Sequence, residues 1–188
     1  MSDSNLIAES AGAAGATARY SIGIDLGTTH CALSYVDRSA SDGDTVAQGV
    51  LDIPQLTGPA SVDAKPLLPS FLYLPHESEL TPADMALPWG AADGYVVGEF
   101  ARSRGAATPI RLVSSAKSWL CHPGVDRRAP LLPADAPAEV ARVSPLTASI
   151  RYLSHLRWAW DQAHPEAPFD AQDITVTIPA SFDPAARE

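Results

Sequence analysis

Apolar and polar positions alternate in short runs along the first half of the chain and in a helical period along part of the second. Residues 21–26 (SIGIDL) are mostly apolar over a short length, which suits a strand covered on both faces. After the turn Gly27-Thr28-Thr29, residues 30–37 (HCALSYVD) predict a second strand, antiparallel to the first because the connection is so short. Residues 44–53 read as a third strand of this meander, ended by Pro54, Gly58 and Pro59. Residues 67–74 (LLPSFLYL) read as one further strand, with Pro69 at its start or on an edge. Residues 75–94 are loop around Trp89, a short strand then leads into a helix from about Glu99, and residues 110–120 predict a second short helix. Residues 121–139 are proline-rich and irregular.

The helical period is clearest after Ser144, an N-cap residue followed by Pro145 at the first helical position. Leu146, Ile150, Leu153, Leu156 and Trp160 then fall on one face, with His155 on its flank, Trp158 off it, and Pro165 beyond its end. His164 stands near that end, where a cation suits the helix dipole. Residues 174–179 (ITVTIP) predict a β-branched strand that crosses back into the sheet. In the final stretch, FDPAARE, Asp183 reads as an N-cap and Pro184 as the first residue of a helix of about one turn. So short a helix cannot sustain itself, because nucleation is the costly step, and the chain reads as a piece of something longer. Residues 1–19 are rich in Ala, Gly and Ser, without the basic start and apolar core of a signal peptide, and read as a disordered lead-in. The fold class expected for residues 20–188 is α/β: a mixed sheet with helices.

Composition narrows the functions. A net charge of −9 with no basic patch argues against nucleic acid as a partner. No apolar run approaches ~18 residues, so no membrane helix is expected. Cys31 and Cys121 lack metal or redox spacing and read as free thiols of a cytoplasmic protein. His122, His155 and His164 are scattered without metal-ligand spacing. The nucleophile elbow, the Walker A loop and the dinucleotide fingerprint are all missing from this sequence.

What remains is the stretch IGIDLGTTHCALSYV. Asp25 ends an apolar strand, and an unpaired carboxylate there needs water, donors or a cation. Gly27 lets the backbone approach a ligand closely. Thr28 and Thr29 add hydroxyls beside turn amides, which together make an anion-binding concavity. A neighbouring carboxylate can hold Mg²⁺ through water, because that ion keeps several waters and takes few protein ligands. An ordinary hairpin with Asp25 capping its turn is the alternative reading of these residues alone.

This stretch resembles the first phosphate loop of the actin-like ATPase superfamily, which includes actin, sugar kinases and the seventy-kilodalton heat-shock chaperones. Four further segments are similar to the chaperones: LLPSFLYL, YVVGEFARSRGAATP, SSAKSWLC and ITVTIPASFDPAARE. The resemblance implies the first lobe of an actin-like, ribonuclease-H-like ATPase fold over residues 20–188, with a small inserted subdomain at about 55–143. It implies ATP or ADP with Mg²⁺ as cofactors. Asp25 would stand near the Mg²⁺ water shell, and Gly27, Thr28, Thr29 and His30 around the phosphates. Lys117 would reach the γ-phosphate as a catalytic group, and Pro179 and Arg187 would couple nucleotide state to a neighbouring domain. Unfolded polypeptide clients, a co-chaperone and a nucleotide-exchange factor would be partners of the intact protein. His30 departs from the family's usual Asn or aromatic residue, Ser118 replaces a basic residue, and the stretches at 75–94 and 121–140 differ from the housekeeping chaperones. The resemblance to a divergent bacterial member therefore leaves clients and co-chaperones open. A sugar kinase and a non-hydrolysing scaffold of the same fold are the alternatives. The second phosphate loop, the adenosine-binding segment and the peptide-binding domain of the family would all follow Glu188, so this chain alone is expected to turn over little ATP.

Overall fold

A computed structural model of the protein describes residues 18–42, 44–91, 94–122 and 124–177. In chain order these form β1 (Tyr20–Leu26), β2 (His30–Asp37), β3 (Gln48–Val50), β4 (Ile53–Gly58), β5 (Ser61–Lys65), β6 (Leu68–Pro69) and β7 (Phe71–Tyr73). There follow β8 (Ala86–Leu87), β9 (Gly90–Ala91), β10 (Val96–Val97), α1 (Glu99–Ala107), β11 (Leu112–Ser114), α2 (Ala116–Leu120), α3 (Pro145–Ala163) and β12 (Asp173–Thr177). The class is mixed α/β. The main sheet has the order β12-β1-β2-β3, with β6 also pairing on β2. β1 runs antiparallel to β2 and parallel to β12. A second sheet has the order β10-β7-β11, and β4–β5 and β8–β9 are separate hairpins.

β1 is covered on one face only. Tyr20, Ile22, Ile24 and Leu26 are buried, whereas Ser21, Gly23 and Asp25 between them point to the other side. The near-continuous apolar run suggested two covered faces, because Gly23 and Ser21 are small rather than charged. The helix α3 packs on the buried face. Its cap is as the sequence indicates: Ser144 Oγ accepts from the Thr147 amide at 2.9 Å. Trp160 is fully buried, 5.1 Å edge-on from Tyr20 and 5.4 Å from Tyr35, and its indole donates to the Ala167 carbonyl at 2.8 Å.

Several expectations are corrected. Of the stripe expected on α3, Leu156 and Trp160 are fully buried, Leu146 and Leu153 only partly, and Ile150 is exposed; the buried face is completed by Ala148, Tyr152, His155 and Ala159. Ile150, at 51% exposure, and Leu153 line an open groove of about 230 Å³ with Phe169, Ile174 and Val176. Of the third meander strand only Gln48–Val50 pairs with β2, and Pro54 does not end a strand but lies within β4, opposite Ala64. The run at 67–74 is two strands in two sheets: Leu68 pairs with Cys31, and Leu72 pairs with Val97 and Val113, with Ser70 between them. Residues 75–94 are not wholly loop, since they include the hairpin β8–β9. Residues 110–120 are not one helix. β11 inserts Val113 into the second sheet, and Ser115 takes a left-handed conformation (φ +55°) that turns the chain into α2. Helical and strand spacing cannot be told apart over so short an apolar run.

Two clusters of buried apolar residues result. The larger lies between the main sheet and α3, and a smaller one (Leu56, Tyr73, Met85, Val96, Phe100) lies within residues 55–143. They are joined by buried polar groups. Gln55 is fully buried; its Oε1 accepts from the Glu99 amide at the start of α1 and its Nε2 donates to the Leu67 carbonyl. Gly98 (φ +88°) is required beside it, because a Cβ there would come within 2.7 Å of Gln55 Oε1.

His155 makes the other link. It is buried, its Nε2 donates to the Pro54 carbonyl at 2.9 Å, and its ring meets Trp89 edge-on at 5.1 Å. Burial pushes its imidazole down to about 4, only partly offset by the bond to Pro54. The folded chain therefore refuses a proton that the unfolded chain accepts between about pH 6.5 and 4. Stability is full above that window and falls as pH drops through it, by up to roughly 1 kcal/mol per pH unit. His155→Gln keeps a donor toward Pro54 without the ionisation, so its urea midpoint should fall less between pH 7 and 4.5 than that of the unaltered chain. Parallel pH dependence of the two proteins would contradict the assignment.

Candidate functional site

β1 and β2 are joined by the three-residue turn Gly27-Thr28-Thr29. The turn is held from behind by one residue. Ser70 Oγ donates to the Gly27 carbonyl at 2.8 Å, and the Ser70 amide donates to the Thr29 carbonyl at 2.9 Å. With the Gly27 and Thr29 carbonyls taken from the interior, the turn leaves amides and hydroxyls on its outer side. Thr28 and Thr29 are exposed, and among the described residues their amides meet no protein acceptor. The turn is also tight: a Cβ on Gly27 would lie 2.1 Å from the His30 carbonyl oxygen.

Asp25 is exposed at the carboxyl end of β1, and Thr177 lies beside it at the carboxyl end of the parallel strand β12. The Thr177 hydroxyl lies 3.0 Å from Asp25 Oδ1 and 3.3 Å from the Ile24 carbonyl. In sheets of this kind ligands bind outside the carboxyl ends of parallel strands. His30 is half-exposed at the start of β2. Asp25 pairs with Ala32, so strand alternation puts His30 on the same side of the sheet, diagonal to Asp25.

Lys117 lies on α2. It is half-exposed, two residues after the left-handed Ser115, on a helix packed against α3. Burial pushes the Cys31 thiol up, with smaller effects from its hydrogen bonds to Ser70 and Gly27 and from the charges of Asp25 and Lys117. Asp25, Gly27, Thr28, Thr29 and His30 thus stand together at the strand end and its turn, Lys117 stands apart from them on α2, and Pro179 and Arg187 lie outside the described residues.

Ser70, Thr177 and Cys31 belong to this assembly, and sequence reasoning did not single them out. Ser70 left a usable signal, since a hydroxyl inside the apolar run LLPSFLYL must find a partner if buried. Thr177 left none beyond its place at a strand end.

Chemically, the arrangement is a turn with exposed amides and hydroxyls and a carboxylate on one side. It can bind an anion that itself carries a cation. Among the described residues there is no group of three His, Cys, Asp or Glu placed to enclose a metal. A lone exposed carboxylate with one oxygen already hydrogen-bonded suits a hydrated ion held through water. A concavity of about 610 Å³ runs along the outer face of the main sheet past Gly23, Ser34 and Thr175, and its lining has no carboxylate, amine or imidazole. No described helix is long and apolar enough to cross a membrane. Compared with models of protein families and with curated proteins, the chain matches none.

Gly27→Ala forces the turn open, because the clash is with backbone and not with a flexible side chain. The expected cost is about 1–3 kcal/mol, read as a lowered urea midpoint. An unchanged midpoint would mean that the turn is looser than its geometry shows.

Proposed function

We propose that the chain forms one wall of an ATP-hydrolysing cleft of the actin-like type, as the N-terminal part of the ATPase domain of a heat-shock-type chaperone. The observation that carries this reading is the turn at the end of β1. The carbonyls of Gly27 and Thr29 are tied back by Ser70, and the exposed Thr28 and Thr29 leave their amides without a protein acceptor among the described residues, next to the carboxylate of Asp25 at the strand end.

In this reading the amides and hydroxyls of Thr28 and Thr29 hold phosphate oxygens, and His30 lies at the edge of the same contact. Asp25 holds the hydrated Mg²⁺, and Thr177 fixes the carboxylate by occupying one of its oxygens. Bound with the nucleotide, Mg²⁺ neutralises phosphate charge. Lys117 stabilises the charge that develops on the transferred phosphoryl group, an interaction stronger in the transition state than in the ground state. Pro179 and Arg187 pass the nucleotide state to a peptide-binding domain, with a co-chaperone and an exchange factor acting on the cycle. Positioning catalysis needs both walls, so turnover by this chain alone is small.

A titration with Mg-ATP followed through backbone amide shifts tests the reading. Shifts should concentrate at Thr28, Thr29 and Lys117, with a dissociation constant in the roughly millimolar range because half of the enclosure is missing. Asp25→Asn and Lys117→Ala should each weaken binding several-fold. In a chain extended past Glu188, Lys117→Ala should lower ATP turnover by about 10²-fold. Turn amides that do not move at about 10 mM nucleotide, a concentration that would half-saturate even a very weak site, would contradict the proposal.

A further inference from the structure

Ser70 is only 3% exposed, and each of its three polar groups is used. Its amide donates to Thr29 and its hydroxyl to Gly27, and its carbonyl accepts from the Tyr152 hydroxyl at 3.2 Å. The hydroxyl has one proton, and that proton goes to Gly27. The Cys31 thiol, 3.3 Å away and kept protonated by burial, is therefore the donor to Ser70 Oγ. The bonds form a continuous chain from Cys31 through Ser70 to the first carbonyl of the turn. A second arm reaches the last carbonyl of the turn, and a third anchors the whole to the middle of α3.

The position in the fold explains why one residue can do this. Ser70 is the single residue between β6, which pairs with β2, and β7, which belongs to the second sheet. The chain changes sheet there, so the backbone polar groups of Ser70 are not consumed by either ladder and are free to bind the turn and α3. Both carbonyls that it takes would otherwise compete for the outer side of the turn, where they would repel an anion.

We infer that Ser70 is a positioning residue: it orients the turn 27–29 so that the amides of Thr28 and Thr29 face outward together. The orientation of the turn stands on the hydrogen bonds alone; its consequence for phosphate rests on the function proposed above.

The test measures the two parts separately on the full chain. Amide relaxation by NMR reports the order of Thr28 and Thr29 without any ligand. Ser70→Ala should lower their order parameters from about 0.85 to below about 0.6. Tyr152→Phe removes a hydrogen bond to the same residue but leaves the hold on Gly27, and should leave the turn ordered. Titration with inorganic tripolyphosphate should then show several-fold weaker binding to Ser70→Ala than to Tyr152→Phe, since only the fraction of molecules with an ordered turn binds well. A turn that stays ordered in Ser70→Ala overturns the inference. So does disorder of the turn with unchanged tripolyphosphate affinity. A wild-type chain with an ordered turn that binds no tripolyphosphate overturns the phosphate reading and the ligand part of the inference, while the order parameters still decide whether Ser70 sets the turn. Should Ser70→Ala not fold, the wild-type Ser70 amide decides: slow hydrogen exchange is expected from its bond to Thr29, and exchange at the rate of an exposed amide overturns the inference.

Discussion

Burial of alternate residues along β1 is the constraint from which the site follows. Ile22, Ile24 and Leu26 face α3 and are nearly inaccessible, so the residues between them have no choice of side. A slip of one residue would bury Asp25 and expose three large aliphatic side chains, at a cost far above what any turn could repay. The carboxylate is thereby fixed on the outer face at the end of the strand. Pairing with β12 in parallel then brings Thr177 to its side.

The same core ties the turn to the rest of the molecule. The helix α3 reaches behind the turn through Tyr152, reaches β4 through His155, and holds the end of the β1–β2 ladder through Trp160. The smaller apolar cluster is linked to the larger one by hydrogen-bonded buried polar groups, Gln55 above all, as well as by apolar contact. Such links are costly to break from one side and are specific in geometry. A turn whose carbonyls are bonded to this framework is preorganised before any ligand arrives, which is the condition for electrostatic stabilisation to be effective.

Much of this was legible in the sequence because it rests on local chemistry. The first two strands, the capped start of α3 and the return strand expected at 174–179, described as far as Thr177, are set by short apolar runs beside a tight turn, by Ser144-Pro145 and by β-branched residues. The grouping of Asp25 with Gly27, Thr28 and Thr29 follows from their adjacency. The misread parts depend on partners distant in sequence. Nothing local shows that LLPSFLYL divides between two sheets at Ser70, or that Ser115 turns left-handed so that Lys117 follows a strand. The buried face of α3 was legible only in part: Leu156 and Trp160 lie on it, but periodicity weighs large apolar side chains and passes over Ala148, Tyr152, His155 and Ala159, which share it. The carboxylate's neighbour Thr177 is more than 150 residues away along the chain, and only the fold brings the two together.

The most direct test of the central claim replaces Mg²⁺ with paramagnetic Mn²⁺ in the presence of ADP and maps the loss of amide signals over the whole chain. The account predicts that broadening centres on Asp25 to His30 and reaches Thr177 and Lys117, and that it disappears in Asp25→Asn. Broadening centred elsewhere, or spread evenly over the acidic surface, would contradict it.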